Sequence, residues 1–124
     1  MKDIRILIVD DAQFMRNMLG NIIKSAGYTD IHFAGDGLDA VEKVKELKPK
    51  LVTLDISMPG MDGLETIPKI LEVAPDTIII MVSAVSSEIA IKQAIKKGAA
   101  DFILKPFDNT IICDMLKRHL GSSN

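Results

Sequence analysis

The chain has 124 residues, a formal net charge of −2, 48% hydrophobic residues and one cysteine, Cys113. That length suits a single domain with its own core, and a lone cysteine supplies neither an internal disulfide nor a zinc set, which fits a reducing cytoplasm. The scattered, nearly balanced charge lacks the basic stripe of a nucleic-acid binder, and no apolar run nears the ~20 residues of a membrane span.

Two periodicities alternate along the chain. Residues 4–9 (IRILIV) hold about five apolar positions and end in Asp10 and Asp11, which makes them a buried strand and not a secretory leader. Phe14, Met15, Met18, Leu19, Ile22, Ile23 and Ala26 recur at helical spacing, and Gly27 is placed to stop that helix. Tyr28, just after this stop, reads as covering the core edge. Residues 31–34 form a second strand, containing His32, and lead into the turn Gly35, Asp36, Gly37. Leu38, Val41, Val44 and Leu47 predict the second helix, closed by Pro49.

The third apolar run, Leu51 to Leu54, stops at Asp55, and a proline-glycine turn follows. Ile67, Ile70 and Leu71 predict a helix closed by Pro75, with Asp62 as cap and Glu65 completing a capping box. Pro68 then falls inside this helix, where it removes a hydrogen bond and crowds the preceding turn, which predicts a kink or a start later than Asp62. Residues 77–82 form the fourth strand, followed by Ser83. Ala90, Ile91, Ala94 and Ile95 predict a helix closed by Gly98, and Ser83, Ser86 and Ser87 all stand where they can cap it. Its lysines, Lys92, Lys96 and Lys97, read as one solvated face. Residues 102–104 form the fifth strand, followed by Lys105 and Pro106. Ile111, Ile112, Met115, Leu116 and Leu120 complete the last helix, closed by Gly121, and residues 122–124 read as a loose tail. His32 and His119 lack a clustered ligand set and read as structural; Cys113 reads as packing.

Strand then helix, five times over, predicts one α/β domain with a parallel sheet, helices on both faces and right-handed crossovers. Ligands of such sheets bind beyond the carboxyl ends of the strands. There the chain sets Asp10 and Asp11, Asp55, Ser83 and Lys105. Singly, each is an ordinary turn, cap or surface residue. Together they make a chemistry: three crowded acids repel and call for a hard cation such as Mg²⁺ or Mn²⁺. A lysine and a hydroxyl beside them suit the equatorial oxygens of a phosphoryl group, with Asp55 as nucleophile.

The stretches ILIVDDA, LDISMPGMDG and DFILKPF, with Ser-Ala after the fourth strand, resemble the receiver domain of bacterial response regulators over essentially the whole chain. The resemblance implies a doubly wound, flavodoxin-like (βα)5 domain over residues 1–121 with strand order 2-1-3-4-5. It implies Asp55 as phosphoacceptor and Mg²⁺ (with Mn²⁺ as substitute) held by Asp10, Asp11, Asp55 and the backbone carbonyl of Ser57. Ser83 and Lys105 match the groups that bind the phosphoryl oxygens, Phe102 the aromatic switch position, and Pro106 a proline after a cis bond. In the implied switch, Ser83 is drawn to the phosphoryl group, Phe102 turns into the space it leaves, and the face of the fourth helix, fifth strand and fifth helix changes shape. Phe102 lacks the hydroxyl of the tyrosine often found there.

DDAQFMRNML resembles the start of stand-alone chemotaxis receivers, which implies a histidine kinase as phosphodonor, the flagellar motor switch as target and a cytoplasmic location, with no direct contact to nucleic acid or membrane. Such a protein is not an enzyme in the ordinary sense; it catalyses its own phosphotransfer and slow dephosphorylation. The same stretch also fits a receiver fragment of a longer regulator. An aspartyl-phosphate hydrolase is a competing class, but the Asp-x-Asp pattern of the dehalogenase type is absent after strand one. A nucleotide or flavin module is another, and neither G-x-G-x-x-G nor a P-loop occurs.

Overall fold

The computed structural model describes residues 2–121. In it the apolar runs become β1 (Lys2–Val9), β2 (Tyr28–Ala34), β3 (Leu51–Leu54), β4 (Ile78–Ser83) and β5 (Asp101–Leu104). They alternate with α1 (Gln13–Ser25), α2 (Gly37–Leu47), α3 (Gly63–Val73), α4 (Glu88–Lys97) and α5 (Asn109–Leu120). Every strand pairing is parallel and the order is β2-β1-β3-β4-β5. This is the flavodoxin-like receiver fold that the motifs implied. Residues 122–124, expected as a loose tail, lie outside the described residues.

The absence of polar alternation in the strands has its cause in two cores. Leu7, Val9, Val52, Leu54, Ile79 and Met81 face a layer that includes Ala40 and Val44 of α2, Ile67 and Ile70 of α3 and Ala94 of α4. Ile6, Ile8, Leu51, Ile80, Val82 and Ile103 face Leu19, Ile22 and Ile23 of α1 and Ile112, Met115 and Leu116 of α5. The central strands therefore bury both faces, each side chain contributing about 2 kcal/mol by leaving water. β2, at the sheet edge, begins at Tyr28, three positions before the apolar run, because an edge strand tolerates polar residues such as Thr29 and Asp30.

The helix ends show which polar residues are spent on capping. Asp36, Asp62, Ser87 and Asp108 each accept a backbone N–H at the start of α2, α3, α4 and α5. Of the three serines able to cap α4, Ser87 does so. α3 carries the predicted capping box between Asp62 and Glu65. It does not start later: it runs unbroken from Gly63 with Pro68 inside. Pro68 lies on the exposed side of the helix, and the Thr66 hydroxyl ties the first turn to the Asp62 carbonyl at 2.7 Å. α1 is the exception. Its N-cap is Ala12, with no side-chain cap bond, so Asp10 and Asp11 are not its caps. No helix is long and apolar enough to cross a membrane among the described residues.

Candidate functional site

Register carries the acids to one place. Val9 pairs with Leu54, so Asp10 and Asp55 leave adjacent strands side by side at the carboxyl edge of the sheet. The Asp55 N–H donates to the Val9 carbonyl at 3.2 Å, and the Asp10 N–H to the Ala34 carbonyl at 3.1 Å. Asp10 and Asp55 are buried, 4% and 6% exposed, whereas Asp11 is open to solvent. One carboxylate oxygen from each of Asp10, Asp11 and Asp55 lies within 4.8 Å of the other two.

Two buried carboxylates side by side need a counter-charge, and β5 supplies it. The Lys105 ammonium donates to Asp10 Oδ2 at 2.7 Å and to Asp55 Oδ2 at 2.9 Å. Burial pulls the lysine pKa down, but the hydrogen bonds and charges of both carboxylates outweigh it, and the ammonium is held above its ordinary 10.5. The Lys105 N–H donates to the Ser83 carbonyl at 3.0 Å, which fixes the β5 end against β4, and the Lys105–Pro106 bond is cis, as the resemblance implied.

The other acid oxygens are held by main-chain donors. The Ala12 N–H donates to Asp10 Oδ1 at 2.9 Å, and the Ser57 N–H to Asp55 Oδ1 at 3.2 Å. The loop after Asp55 folds closely onto the start of α3. The Gly63 N–H donates to the Ile56 carbonyl at 2.9 Å, and a Cβ at Gly63 would stand 2.2 Å from the Asp55 carbonyl oxygen. Only glycine permits that approach.

Asp10, Asp11, Asp55 and Lys105, expected together, are together. Ser83 ends β4 fully buried, its Oγ accepting the Val85 N–H at 3.2 Å. Ser57 is exposed beside Asp55, and Phe102 is half-buried against the core layer of α2, α3 and α4. Met58 is buried in that layer and Met61 half-buried over Gly37. The histidines stand elsewhere: His32 bonds Asp30 at 2.7 Å and His119 bonds Asp101 at 2.9 Å. Arg16, which the stretch DDAQFMRNML contains without a role, donates its guanidinium to the Asp10 carbonyl at 2.6 Å; contact with a main-chain atom leaves no side-chain pattern that would assign one.

The donor set is all hard oxygen, as a small divalent cation requires. Oxygens around Mg²⁺ stand about 3 Å apart when adjacent and about 4.2 Å apart when opposed, and the three carboxylate oxygens, within 4.8 Å of one another, already cluster on that scale. The three acids fit the ion.

Parallel strands in this order, with three acids and a lysine converging at their carboxyl edge, define a flavodoxin-like α/β protein with a polar site at the strand ends. The description "response regulator receiver domain" matches residues 6–117, and the chain belongs to that family. It is 48% identical to the chemotaxis protein CheY of Thermotoga maritima over 114 residues, 92% of this chain and 95% of the relative. It is 43% identical to CheY of Bacillus subtilis over 117 residues, covering 94% and 98%. Among solved structures, the CheX–CheY–BeF3–Mg²⁺ complex of Borrelia burgdorferi superposes with a TM-score of 0.89 at 38% identity, over 93% of this chain and 87% of that one.

Proposed function

We propose that the chain is a phosphorylation-activated switch of chemotaxis signalling with Asp55 as phosphoacceptor. A carboxylate oxygen of Asp55 attacks the phosphorus of a phosphohistidine on a histidine kinase. The P–O bond forms, the P–N bond breaks, and the imidazole nitrogen keeps the electron pair. Asp10, Asp11, Asp55 and the Ser57 carbonyl would hold Mg²⁺, with Mn²⁺ as a substitute. The bound ion supplies positive charge that neutralises the transferring oxygens.

One observation carries this reading: the Lys105 ammonium bridges Asp10 and Asp55. It has three N–H donors and the bridge uses two of them, so Lys105 can turn to a phosphoryl oxygen on Asp55 without leaving the pocket. The Ser83 oxygen accepts from Val85, which leaves its own hydrogen to donate to another phosphoryl oxygen. Movement of Ser83 opens space toward half-buried Phe102 and couples the charge on Asp55 to the far side of β5. There Ile95 of α4, Leu104 of β5 and Ile111 of α5 remain exposed and offer an apolar face to a protein target such as the flagellar motor switch. A partner that prefers one shape of this face stabilises that shape in turn. The chain so read is one receiver domain over residues 1–121, working in the cytoplasm. It is a switch that promotes its own phosphotransfer and slow hydrolysis, not an enzyme that turns over free substrate.

Incubation with acetyl phosphate and Mg²⁺, then intact mass and peptide mapping, tests this. The protein should gain one phosphoryl group on Asp55 and Asp55→Asn none; labelling that survives in Asp55→Asn would place the nucleophile elsewhere.

A further inference from the structure

We infer that Arg16 is a positioning residue for the cation end of the site, acting on Asp11 through the Asp10–Asp11 peptide. The inference rests on the Mg²⁺ reading above. Asp10 is tied at every polar group: its N–H to Ala34, its carboxylate to the Ala12 N–H and to Lys105, and its carbonyl to Arg16. Asp11 has no such anchor. Among the described residues its exposed carboxylate accepts no hydrogen bond and joins no ion pair. Its direction is therefore set by the backbone that leads into it.

That backbone is the Asp10–Asp11 peptide, and a peptide unit is planar. Fixing the Asp10 carbonyl fixes the plane up to the Asp11 Cα, and the Ala12 N–H, held by Asp10 Oδ1 at 2.9 Å, fixes the peptide on its other side; the two planes together set the direction of the Asp11 Cα–Cβ bond. The Arg16 Nη1 holds that carbonyl at 2.6 Å, in a charge-assisted bond. The clamp has a fixed base. The Arg16 N–H donates to the Ala12 carbonyl at 3.1 Å in the first turn of α1, and the guanidinium lies along Gly35, 3.6 Å from where a Cβ would stand.

Charge and geometry make opposite predictions for this residue. Arg16 is a cation beside three acids, so by Coulomb repulsion alone its removal should tighten Mg²⁺ binding. If it positions Asp11, removal loosens binding. Mg²⁺ affinity, read by titration calorimetry on phosphate-free protein, decides between them. Arg16→Ala is expected to weaken binding about 10-fold, the usual cost of losing a partner that orients a metal ligand. Arg16→Lys, which keeps the charge but not the reach of the fork, should recover part of the loss. In an Asp11→Asn background, Arg16→Ala should cost nothing further. Unchanged or tighter binding in Arg16→Ala, or an equal loss in the Asp11→Asn background, overturns the inference. Should Arg16→Ala not fold, Arg16→Lys carries the test alone: weaker binding supports the positioning role and unchanged affinity overturns it. Wild-type protein that binds no Mg²⁺ overturns the reading of the site itself, a different failure.

Discussion

Lys105 and Asp55 are 50 residues apart in the chain and 2.9 Å apart in the fold. The same ammonium reaches Asp10 at 2.7 Å, so a single cation serves two carboxylates whose side chains are 6% and 7% exposed. Replacing Lys105 with methionine keeps most of the stem and removes the charge, which leaves two buried acids facing each other. The variant should still fold but lose about 3 kcal/mol, the lower end of the cost of breaking a buried pair. Mg²⁺ should restore part of it. Thermal unfolding with a chelator and with Mg²⁺ checks this, and equal melting of variant and wild type in chelator would contradict the counter-charge role.

The approach of α3 to the acid loop gives a second test. At Gly63 an added methyl would lie 2.2 Å from the Asp55 carbonyl oxygen and 2.8 Å from the Ile56 Cα, and both are backbone atoms that cannot swing aside. Gly63→Ala must push the Asp55 loop away. The expected cost is about 1–3 kcal/mol of stability, with slower acetyl-phosphate labelling because the carboxylate moves with its loop. Denaturant unfolding together with the labelling rate measures both. A variant with wild-type stability and labelling would mean the loop yields freely.

Thr53 presents the reverse case. It lies on β3 between Ile8 of β1 and Ile80 of β4, is 1% exposed, and its hydroxyl has no hydrogen-bond partner among the described residues. A buried hydroxyl left unpaired is a cost that an apolar isostere removes. Thr53→Val should stabilise the protein by about 1 kcal/mol and leave labelling of Asp55 intact. A denaturant midpoint that falls instead would show that the hydroxyl contributes in the native state.

These residues also mark how far the sequence could be read. Central strands announce themselves because both faces are covered: Leu51–Leu54 was bounded correctly from its apolar run. β2 was cut short because Tyr28 to Asp30 pair on an edge, where polar residues are allowed. The acids and Lys105 were legible because strand ends are where a parallel sheet gathers its chemistry. Ser87 could be told from Ser83 and Ser86 only by geometry, since all three have the capping side chain. Pro68 predicts a kink or a later helix start; with the Asp62–Glu65 capping box in place, α3 begins at Gly63 and carries the proline inside. Arg16 and Gly63 act on backbone atoms, and no side-chain period records that.

A last prediction concerns Asp101, on β5 next to Phe102. Burial pushes its carboxyl pKa up, but hydrogen bonds from His119 and Arg118 and from the Phe102 N–H outweigh that, and it is held below its ordinary 3.8. The bonds are 2.9 Å to His119 and 2.6 Å to Arg118, and they tie the end of α5 to the start of β5. A carboxylate whose pKa is lower in the folded state stabilises the fold above its unfolded pKa, and this contribution fades as the pH falls through the folded value. Near neutral pH, Asp101→Asn should therefore be less stable than wild type by about 1 kcal/mol, since Arg118 is largely solvated. As the pH falls below about 4 the gap should close, because the wild-type carboxyl takes up its proton and loses the same interaction. Chemical denaturation of both proteins across that range measures the difference, and a gap that stays constant below pH 4 would show that Asp101 stabilises by shape and not by charge.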